Sequence, residues 1–245
     1  MLVKIDKAIM AVDDNPLYSD FWSISSMIWK KRFNIDPLLI YFGEKEMDDT
    51  FGKVIKITPV SDIPTYFQAQ WARFWFTTLN PDAVHIVSDI EMLPISKYVF
   101  VEQLAPIDDD KYVHLFGEHR PIPVCYHVAK GSMFKKVLQL GDSYEKSLRE
   151  VYNSDGACFR HMGFERWGRE ESYCTKRIEE YQGTDLHFFQ RRAPDLSERL
   201  DRLNWVSVGS LQELESFIDC HSLRPYHQYK SSIDKVAQLL TSKCK

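Results

Sequence analysis

The chain lacks the residue patterns that build disulfide frameworks or zinc sites. Its five cysteines are odd in number, and they show neither a CxxC pair nor the Cys and His spacing of a zinc site. Unpaired thiols are typical of a reducing compartment. We therefore expect reduced cysteines and a cytoplasmic location.

The chain also has no long run of basic residues and no long run of apolar residues. The formal net charge is -4 and there is no long basic stretch, which argues against nucleic acid as a partner because clustered Lys and Arg supply affinity for phosphate backbones. No run of 18 apolar residues occurs, so no transmembrane segment is expected. The apolar residues 8–12 are too few, and too closely flanked by charge, for a signal peptide. The sequence therefore predicts a soluble protein.

The chain does contain enough apolar residues to form a large core. Its 245 residues are 44% hydrophobic, which suffices to bury one full core. No internal repeat, low-complexity tract or linker interrupts the sequence. We predict a single domain over residues 1–245.

Strand-like and helix-like segments alternate through the first 94 residues. Asn15 suits the N-cap of a first helix with Pro16 at its first position, and a second helix, apolar nearly all round, starts near Ser61 and ends near residue 79. The predicted strands are residues 8–12, 37–42, 53–60 and 84–88. This order predicts a mostly parallel sheet with right-handed crossovers and with residues 84–88 as a central strand.

The second part of the chain has a different pattern, with short segments separated by turns rich in Pro and Asp. Ser210 and Glu213 have the spacing of a capping box. The predicted strands are residues 98–104, 112–116 and 124–128, and the predicted helices are residues 133–140, 144–152, a charged segment ending near 181, and 233–240. The fold class predicted is α/β with an α+β C-terminal half.

An acidic triplet, Asp89-Ile90-Glu91, follows the predicted central strand. If the chain stays extended there, Asp89 and Glu91 project from one face while Ile90 points into the protein. Open α/β sheets place ligands at the carboxyl ends of their strands, and carboxylate oxygens suit Mg²⁺ or Mn²⁺ carrying a substrate phosphate. The alternative is a strand that runs out into a solvated acidic loop.

In this position the triplet resembles the DxD motif of the GT-A class of nucleotide-sugar-dependent glycosyltransferases. The resemblance covers roughly residues 8–190, with Glu as the second acid. It implies a Rossmann-like fold with a mostly parallel central sheet flanked by helices. It also implies a nucleotide-binding half (1–94), an acceptor-binding half (95–200) and C-terminal helices (201–245). Asp89 and Glu91 would then contact the metal ion and the nucleotide.

A second motif, Trp167-Gly168-Arg169-Glu170-Glu171, is similar to the acceptor-site turn of several GT-A families. The resemblance implies that Trp167, Gly168 and Glu170 bind the acceptor and that Glu171 is the catalytic base, with Glu170 as its partner at the acceptor hydroxyl. A base is needed because a hydroxyl is a poor nucleophile until its proton is withdrawn. The alternative is that both acids only favour the positive end of a helix.

The remaining positions carried over from the resemblance are a metal ligand and a nucleotide site. His187 lies downstream, as does the histidine that completes the metal site in many such enzymes; the alternative is a packed core histidine. The end of the first strand would hold the nucleotide base, and Arg73 would lie near the diphosphate. The nucleotide-base positions are Ala11, Val12 and Asp13. His127, Lys130 and Gly131 fall where a donor-sugar contact is often found, although their pattern departs from the common form.

Together these features predict a glycosyltransferase that depends on Mn²⁺ or Mg²⁺. Its partners would be a nucleotide-sugar donor, with a UDP-sugar favoured, and a carbohydrate acceptor, and transfer would proceed with inversion. Two alternatives stay open. One is an inactive module that binds nucleotide sugars or glycans, and the other is a nucleotidyltransferase on a similar sheet. A Gly-rich phosphate loop is absent after the first strand, which argues against the second.

Overall fold

The computed structural model describes residues 1–117, 121–154, 168–190 and 197–242. Trp167 lies outside these described residues. Among helices in the described ranges, none combines the length and apolar character that crossing a bilayer requires.

Two sheets are built from the ten strands of the described ranges. The strands are β1 (Lys7–Asp13), β2 (Asp36–Phe42), β3 (Lys53–Lys56), β4 (Val84–Val87), β5 (Met92–Pro94), β6 (Tyr112–His114), β7 (His127–Lys130), β8 (Leu186–Phe188), β9 (Ser197–Asp201) and β10 (Phe217–His221). The larger sheet has the order β3-β2-β1-β4-β7-β6-β8, and the smaller has the order β5-β10-β9. Strands β3, β2, β1 and β4 are parallel, β7 is antiparallel to both neighbours, and β6 and β8 are parallel.

Helices cover both faces of the larger sheet. The α-helices of the described ranges are α1 (Pro16–Ser19), α2 (Trp22–Phe33), α3 (Thr65–Trp75), α4 (Gly131–Leu138), α5 (Tyr144–Asn153), α6 (Arg169–Glu180), α7 (Leu211–Leu214) and α8 (Tyr226–Thr241). A 3₁₀ segment, Phe76–Leu79, continues α3. One core cluster includes side chains of α2 and α8, and the other includes side chains of α3, α4, α5 and α6.

Residue alternation along the strands explains how one sheet supports two cores. In β1, Ile9 belongs to one cluster and Met10 to the other, because successive side chains of a strand point to opposite faces. The same division separates Ile86 from Val87 in β4. Strand β4 is buried at every position, as expected for a strand with helices on both sides. The predicted fold class and the central position of this strand are confirmed.

The first helix begins as predicted, but it is short. The Asn15 side chain accepts a hydrogen bond from the backbone N–H of Leu17 at 3.1 Å, and Pro16 occupies the first turn. Helix α1 ends at Ser19 and α2 starts at Trp22. The helical spacing of Leu17, Phe21, Ile24 and Ile28 predicts a single helix here, whereas the structure has two.

The strand predicted at residues 98–104 is wrong. Tyr98–Glu102 is a π-helical turn in which Val99 and Phe100 are buried while Tyr98 and Val101 are exposed. Two buried residues between two exposed ones fit a helical turn and not a period of two. The Ser96 hydroxyl accepts a hydrogen bond from the Val99 N–H, and Phe100 packs edge-on against Trp29, so tertiary contacts override the β-type residues.

The strands β5, β8, β9 and β10 were not predicted, and β10 lies in the region for which only helices were expected. The sequence of β10 does not show the alternation of a strand, because the charged Asp219 is fully buried between the buried Ile218 and Cys220. Arg199 makes this possible, since its Nε and Nη2 donate to the two Asp219 carboxylate oxygens at 2.7 Å each. The strand predicted at 124–128 is also displaced, to β7.

Candidate functional site

A cavity of about 280 Å³ lies at the carboxyl ends of β1 and β4. Several separate segments contribute polar side chains to it, which is typical of ligand sites in open α/β sheets. They include the end of β1 (Ala11, Val12, Asp13), helix α3 (Gln70, Arg73), the acidic triplet (Asp89, Glu91), the first turn of α6 (Glu170, Glu171) and the C-terminal part of the chain (Arg202, His221, Arg224).

The acidic triplet forms a turn between β4 and β5. The Asp89 carbonyl accepts a hydrogen bond from the Met92 N–H at 3.2 Å, so the chain reverses here and is not extended. Ile90 is only 3% exposed, and Asp89 and Glu91 both line the cavity. The predicted common side of the two acids is found, but a turn produces it and not strand alternation.

Asp89 forms an ion pair with Arg73 of α3. Arg73 Nη1 donates to Asp89 Oδ1, and Arg73 is almost fully buried. Burial alone would raise the pKa of Asp89. The charge and hydrogen bond of Arg73, with smaller contributions from His221 and Arg199, overcome this and keep the pKa below its usual value. Asp89 is therefore a carboxylate at neutral pH.

The pKa of Glu91 is shifted in the opposite direction from that of Asp89. Its burial, and then the charge of Asp89, raise its pKa, and Arg224 opposes this shift from 3.5 Å (Nη1 to Oε1). Arg202 lines the same part of the cavity, and burial together with the charge of Arg224 lowers its pKa. Three arginines therefore surround the acidic turn: Arg73, Arg202 and Arg224.

The two acids of the second motif face the same cavity. Gly168, with φ of 80°, is the N-cap of α6, and its left-handed backbone directs the chain into the first turn that carries Glu170 and Glu171. Burial, and then Asp89, raise the pKa of Glu171 to about 7. Burial raises the pKa of Glu170 to about 8, with Arg73 opposing and Glu171 reinforcing the shift. Both acids are thus able to exchange protons near neutral pH.

The structure places His187 away from the cavity. It lies on β8, the strand at the end of the larger sheet, paired with Val113 and with its ring 4.6 Å from that of Phe189. It is not among the described residues that line the cavity. The imidazole that does line it belongs to His221, at the end of β10. The structure does not bring His187 to this cavity, since its strand lies at the far edge of the sheet.

His221 is a neutral imidazole with a fixed neighbour. Burial, and then Arg202 and Arg199, lower its pKa to about 4, although Asp201 favours the charged form. Asp201 Oδ2 lies 3.3 Å from His221 Nδ1. A carboxylate behind one ring nitrogen is the usual support of a metal-binding histidine.

The donor types in the cavity fit a divalent cation. Carboxylates and a neutral imidazole are ligands that Mn²⁺ accepts. As they stand, however, the described residues include no group of three or more His, Cys, Asp or Glu side chains gathered so that they could hold a metal ion. Asp89 faces Arg73 instead. The donor types of Asp89, Glu91 and His221 fit a divalent cation, but in this structure the three side chains are not gathered around one point.

The other predicted contacts divide into two sets. Ala11, Val12 and Asp13 line the cavity, and Asp13 also accepts hydrogen bonds from the Asn15 N–H at 3.1 Å and the Thr65 hydroxyl at 2.9 Å. The set that does not reach it consists of His127, buried in a hydrogen-bond network, Lys130, paired with Asp109 at 2.9 Å, and Gly131, packed against the backbone of Thr77 and Asn80. The structure does not bring this second set to the cavity.

Four residues that line the cavity each have a buried polar atom with no hydrogen-bond partner within the described part of the chain. The atoms are Gln70 Oε1, Arg73 Nε, Glu170 Oε2 and Arg202 Nη1. Buried polar atoms are normally paired, so such a concentration indicates a place prepared for a polar ligand. Of the residues missed from the sequence, Gln70, Arg202, His221 and Arg224, none sits in a recognisable motif.

Comparison with known proteins gives a likeness of fold and not of sequence. No protein-family model matches the chain, and no curated protein matches it in sequence. An active-site mutant of LgtC is similar in structure, with a TM-score of 0.51, 9% identity, and coverage of 96% of this chain and 95% of that one.

Two further structures give TM-scores of 0.49 at 8% identity. The galactosyltransferase LgtC in complex with donor and acceptor sugar analogues matches 96% of this chain and 95% of its own. The bifunctional glycosyltransferase WbbM matches 95% of this chain, which spans about half, 49%, of WbbM. At these identities the likeness concerns the fold alone: the chain has the Rossmann-like α/β fold seen in the LgtC mutant, with a mostly parallel central sheet flanked by helices.

Proposed function

We propose that the chain is a glycosyltransferase that moves a sugar from a nucleoside diphosphate sugar to a hydroxyl acceptor. The observation that carries the proposal is the cavity itself. It gathers carboxylates, arginines and residues with unpartnered buried polar atoms from several segments at the carboxyl ends of the parallel strands. The fold similarity to an LgtC mutant supports the same conclusion.

The arginines are the groups suited to a diphosphate. Arg202 and Arg224 both line the cavity; Arg224 Nη1 lies 3.5 Å from Glu91 Oε1, and its guanidinium lies over the Tyr18 ring at 4.8 Å. Guanidinium groups bind phosphate oxygens through paired N–H donors. The nucleotide base would then lie at the end of β1, near Ala11, Val12 and Asp13.

The metal ion, Mn²⁺ or Mg²⁺, stays part of the proposal with a changed ligand set. Asp89 and Glu91 would hold it as predicted from the sequence, and His221 takes the place of His187. When bound, the ion would neutralise negative charge on the leaving diphosphate. The ionised Asp89 and the neutral His221 are already in the protonation states that a cation requires.

Glu171 is the proposed catalytic base. Its pKa of about 7 suits proton removal from an acceptor hydroxyl at neutral pH. Glu170, with a pKa of about 8, is largely protonated and can donate a hydrogen bond to the acceptor. Gly168, and Trp167 from the sequence motif, complete the proposed acceptor site. Transfer with inversion follows if Glu171 acts opposite the diphosphate.

The proposal is tested by incubating the purified chain with a panel of nucleoside diphosphate sugars, with Mn²⁺ or with a chelator. We expect release of nucleoside diphosphate, from UDP-sugars above all, that requires the metal. A binding module would retain affinity without release, and a nucleotidyltransferase would release pyrophosphate in the presence of a nucleoside triphosphate. Either result would replace the proposed function.

A further inference from the structure

Tyr18 lines the cavity, but it has no role in the transfer proposed above. The Arg224 guanidinium lies over its ring, with the guanidinium carbon 4.8 Å from the ring centroid. A cation this close to the face of an aromatic ring is attracted by the negative charge of that face. The two residues therefore form a cation–π pair at the cavity wall, between segments that are far apart in the sequence.

The tyrosine side of this pair is held by the short helix α1. The Tyr18 N–H donates to the Asn15 carbonyl at 3.0 Å, and the Asn15 side chain caps the helix. The Asn15 N–H in turn donates to Asp13 Oδ1 at 3.1 Å, and Asp13 ends strand β1. Hydrogen bonds thus join Tyr18 to the strand end near which the nucleotide base is proposed to lie.

The arginine side depends on its side-chain contacts. Strand β10 ends at His221 and helix α8 begins at Tyr226, so Arg224 belongs to neither element. Only 11% of the Arg224 side chain is exposed, and its Nη1 lies 3.5 Å from Glu91 Oε1, which is long for a hydrogen bond. Arg202, which carries the same charge, lines the same cavity. A mostly buried guanidinium in this setting needs a further stabilising neighbour, and the Tyr18 ring supplies one.

A second aromatic contact joins the same two segments. The rings of Phe21 and Tyr226 meet edge to face with centroids 5.6 Å apart. Phe21 is fully buried in the core, and Tyr226 packs against that core cluster. The residues that follow Tyr18 and Arg224 are therefore fixed to each other, which favours a constant distance within the cation–π pair.

Stacking on a ring leaves the hydrogen-bond donors of a guanidinium unused. All five N–H groups of an arginine lie in the plane of the guanidinium, and a ring that covers one face of this plane occupies none of them. The ring also restricts the rotation of a long side chain. Because a side chain ordered in advance loses less entropy on binding, the contact with Tyr18 prepares Arg224 to bind an anion.

We propose that Tyr18 is a positioning residue whose ring holds the Arg224 guanidinium in the orientation that binds the diphosphate. The inference rests on the proposed function for the role of Arg224 as a diphosphate contact. Tyr18 acts through Arg224, so the effect of removing its ring depends on whether Arg224 is present.

The test is a double-mutant cycle on the full chain, with UDP titrated calorimetrically in the presence of Mn²⁺. Tyr18→Leu should weaken UDP binding roughly 2- to 30-fold, the range expected for the loss of a cation–π contact. In the Arg224→Met background the same substitution should change the affinity by less than about 2-fold, because the partner through which Tyr18 acts is gone. Tyr18→Phe keeps the ring and should bind UDP as the wild type does.

Another cation–π pair of the chain provides the matched control. Lys230 Nζ lies 5.1 Å from the centroid of the Tyr226 ring, and neither residue is among the described residues that line the cavity. Lys230→Met should therefore leave the affinity for UDP unchanged. Circular dichroism accompanies every variant, and Tyr18→Met, which also lacks a ring, replaces Tyr18→Leu if that variant does not fold.

Three results would overturn the inference. Tyr18→Leu could leave UDP binding unchanged, or weaken it equally with and without Arg224, which would mean that Tyr18 acts by another route. A loss for Tyr18→Phe as large as that for Tyr18→Leu would assign the effect to the hydroxyl and not to the ring.

Inorganic pyrophosphate, titrated into the same variants, separates this inference from the proposed function. If pyrophosphate binds and shows the dependence of Tyr18 on Arg224 while UDP does not bind, the positioning role stands and the nucleotide-sugar donor is wrong. If UDP binds the wild type without that dependence, the positioning role fails and the donor site stands. If neither ligand binds the wild type, both fail.

Discussion

Two cavities of equal size, about 280 Å³ each, lie at opposite ends of the parallel strands. Among the described residues, those that line the cavity at the carboxyl ends include four with a buried polar atom that has no partner. The one at the amino ends is lined by residues such as Lys7, Asp36 and His85, and it contains a single atom of this kind, His85 Nδ1, among the described residues. Its Asp36 is paired with Lys30 at 2.5 Å. Cavity volume therefore does not distinguish a ligand site from an unfilled space, whereas a concentration of unpartnered buried polar atoms from separate segments does.

The largest effect should come from Glu171 in the carboxyl-end cavity. Glu171→Gln should lower kcat by about 10²- to 10⁴-fold with little change in donor affinity, because it removes the base and leaves the phosphate contacts. Since the pKa of Glu171 is about 7, the wild-type rate should fall as the pH drops below that value, and the variant should lose this limb of the profile. Steady-state kinetics over a pH series measures both.

The stereochemistry of the product is an independent test of Glu171 as the catalytic base. NMR of the product should show an inverted anomeric centre if a base acts opposite the diphosphate. Retention of configuration would remove Glu171 from that role and would leave the diphosphate site intact.

A second effect should separate the two histidines considered for the metal. His221→Ala should weaken Mn²⁺-dependent donor binding by at least about 10-fold, since even groups that only support metal ligands contribute that much. His187→Ala should leave that affinity unchanged, because His187 lies on the far strand of the sheet. Calorimetric titration at several Mn²⁺ concentrations tests both variants. A loss on His187→Ala, with His221→Ala unaffected, would restore the ligand set predicted from the sequence.

The smallest effect concerns stability and Glu170. Its pKa in the folded chain is about 8, above the 4.5 of an exposed glutamate, so the folded state binds this proton more tightly between those two values. Stability therefore falls as the pH rises through that range. Glu170→Gln should raise Tm at pH 8.5 and change it less at pH 5, and each 1 kcal/mol gained should raise Tm by roughly 2–4 °C.

Exposed glutamates provide the comparison for that prediction. Glu102 lies on the surface, so Glu102→Gln should alter Tm equally little at both pH values. If Glu170→Gln gave the same Tm change at pH 5 and pH 8.5, the carboxyl would not be buried in the way the structure shows.

The sequence predicted the parts of the molecule that depend on local patterns. Apolar runs identified the parallel strands, and the Asn15 cap and the acidic triplet could be recognised because each depends on neighbours in the chain. His221 and Arg202 could not be found in this way. They reach the cavity only because β10 joins the small sheet, and β10 itself depends on Arg199 neutralising a buried Asp219. Long-range pairing of this kind leaves no local signal.

The central claim, that the carboxyl-end cavity binds a nucleoside diphosphate, is tested most directly by calorimetric titration of UDP in the presence of Mn²⁺. Arg202→Met removes a guanidinium from this cavity, and Lys7→Met removes a charge from the amino-end cavity. We expect Arg202→Met to weaken binding roughly 10- to 150-fold, since hydrogen bonds to charged groups contribute about 1.5–3 kcal/mol, and Lys7→Met to bind as the wild type does. Equal affinities for all three proteins, or a loss confined to Lys7→Met, would contradict the claim.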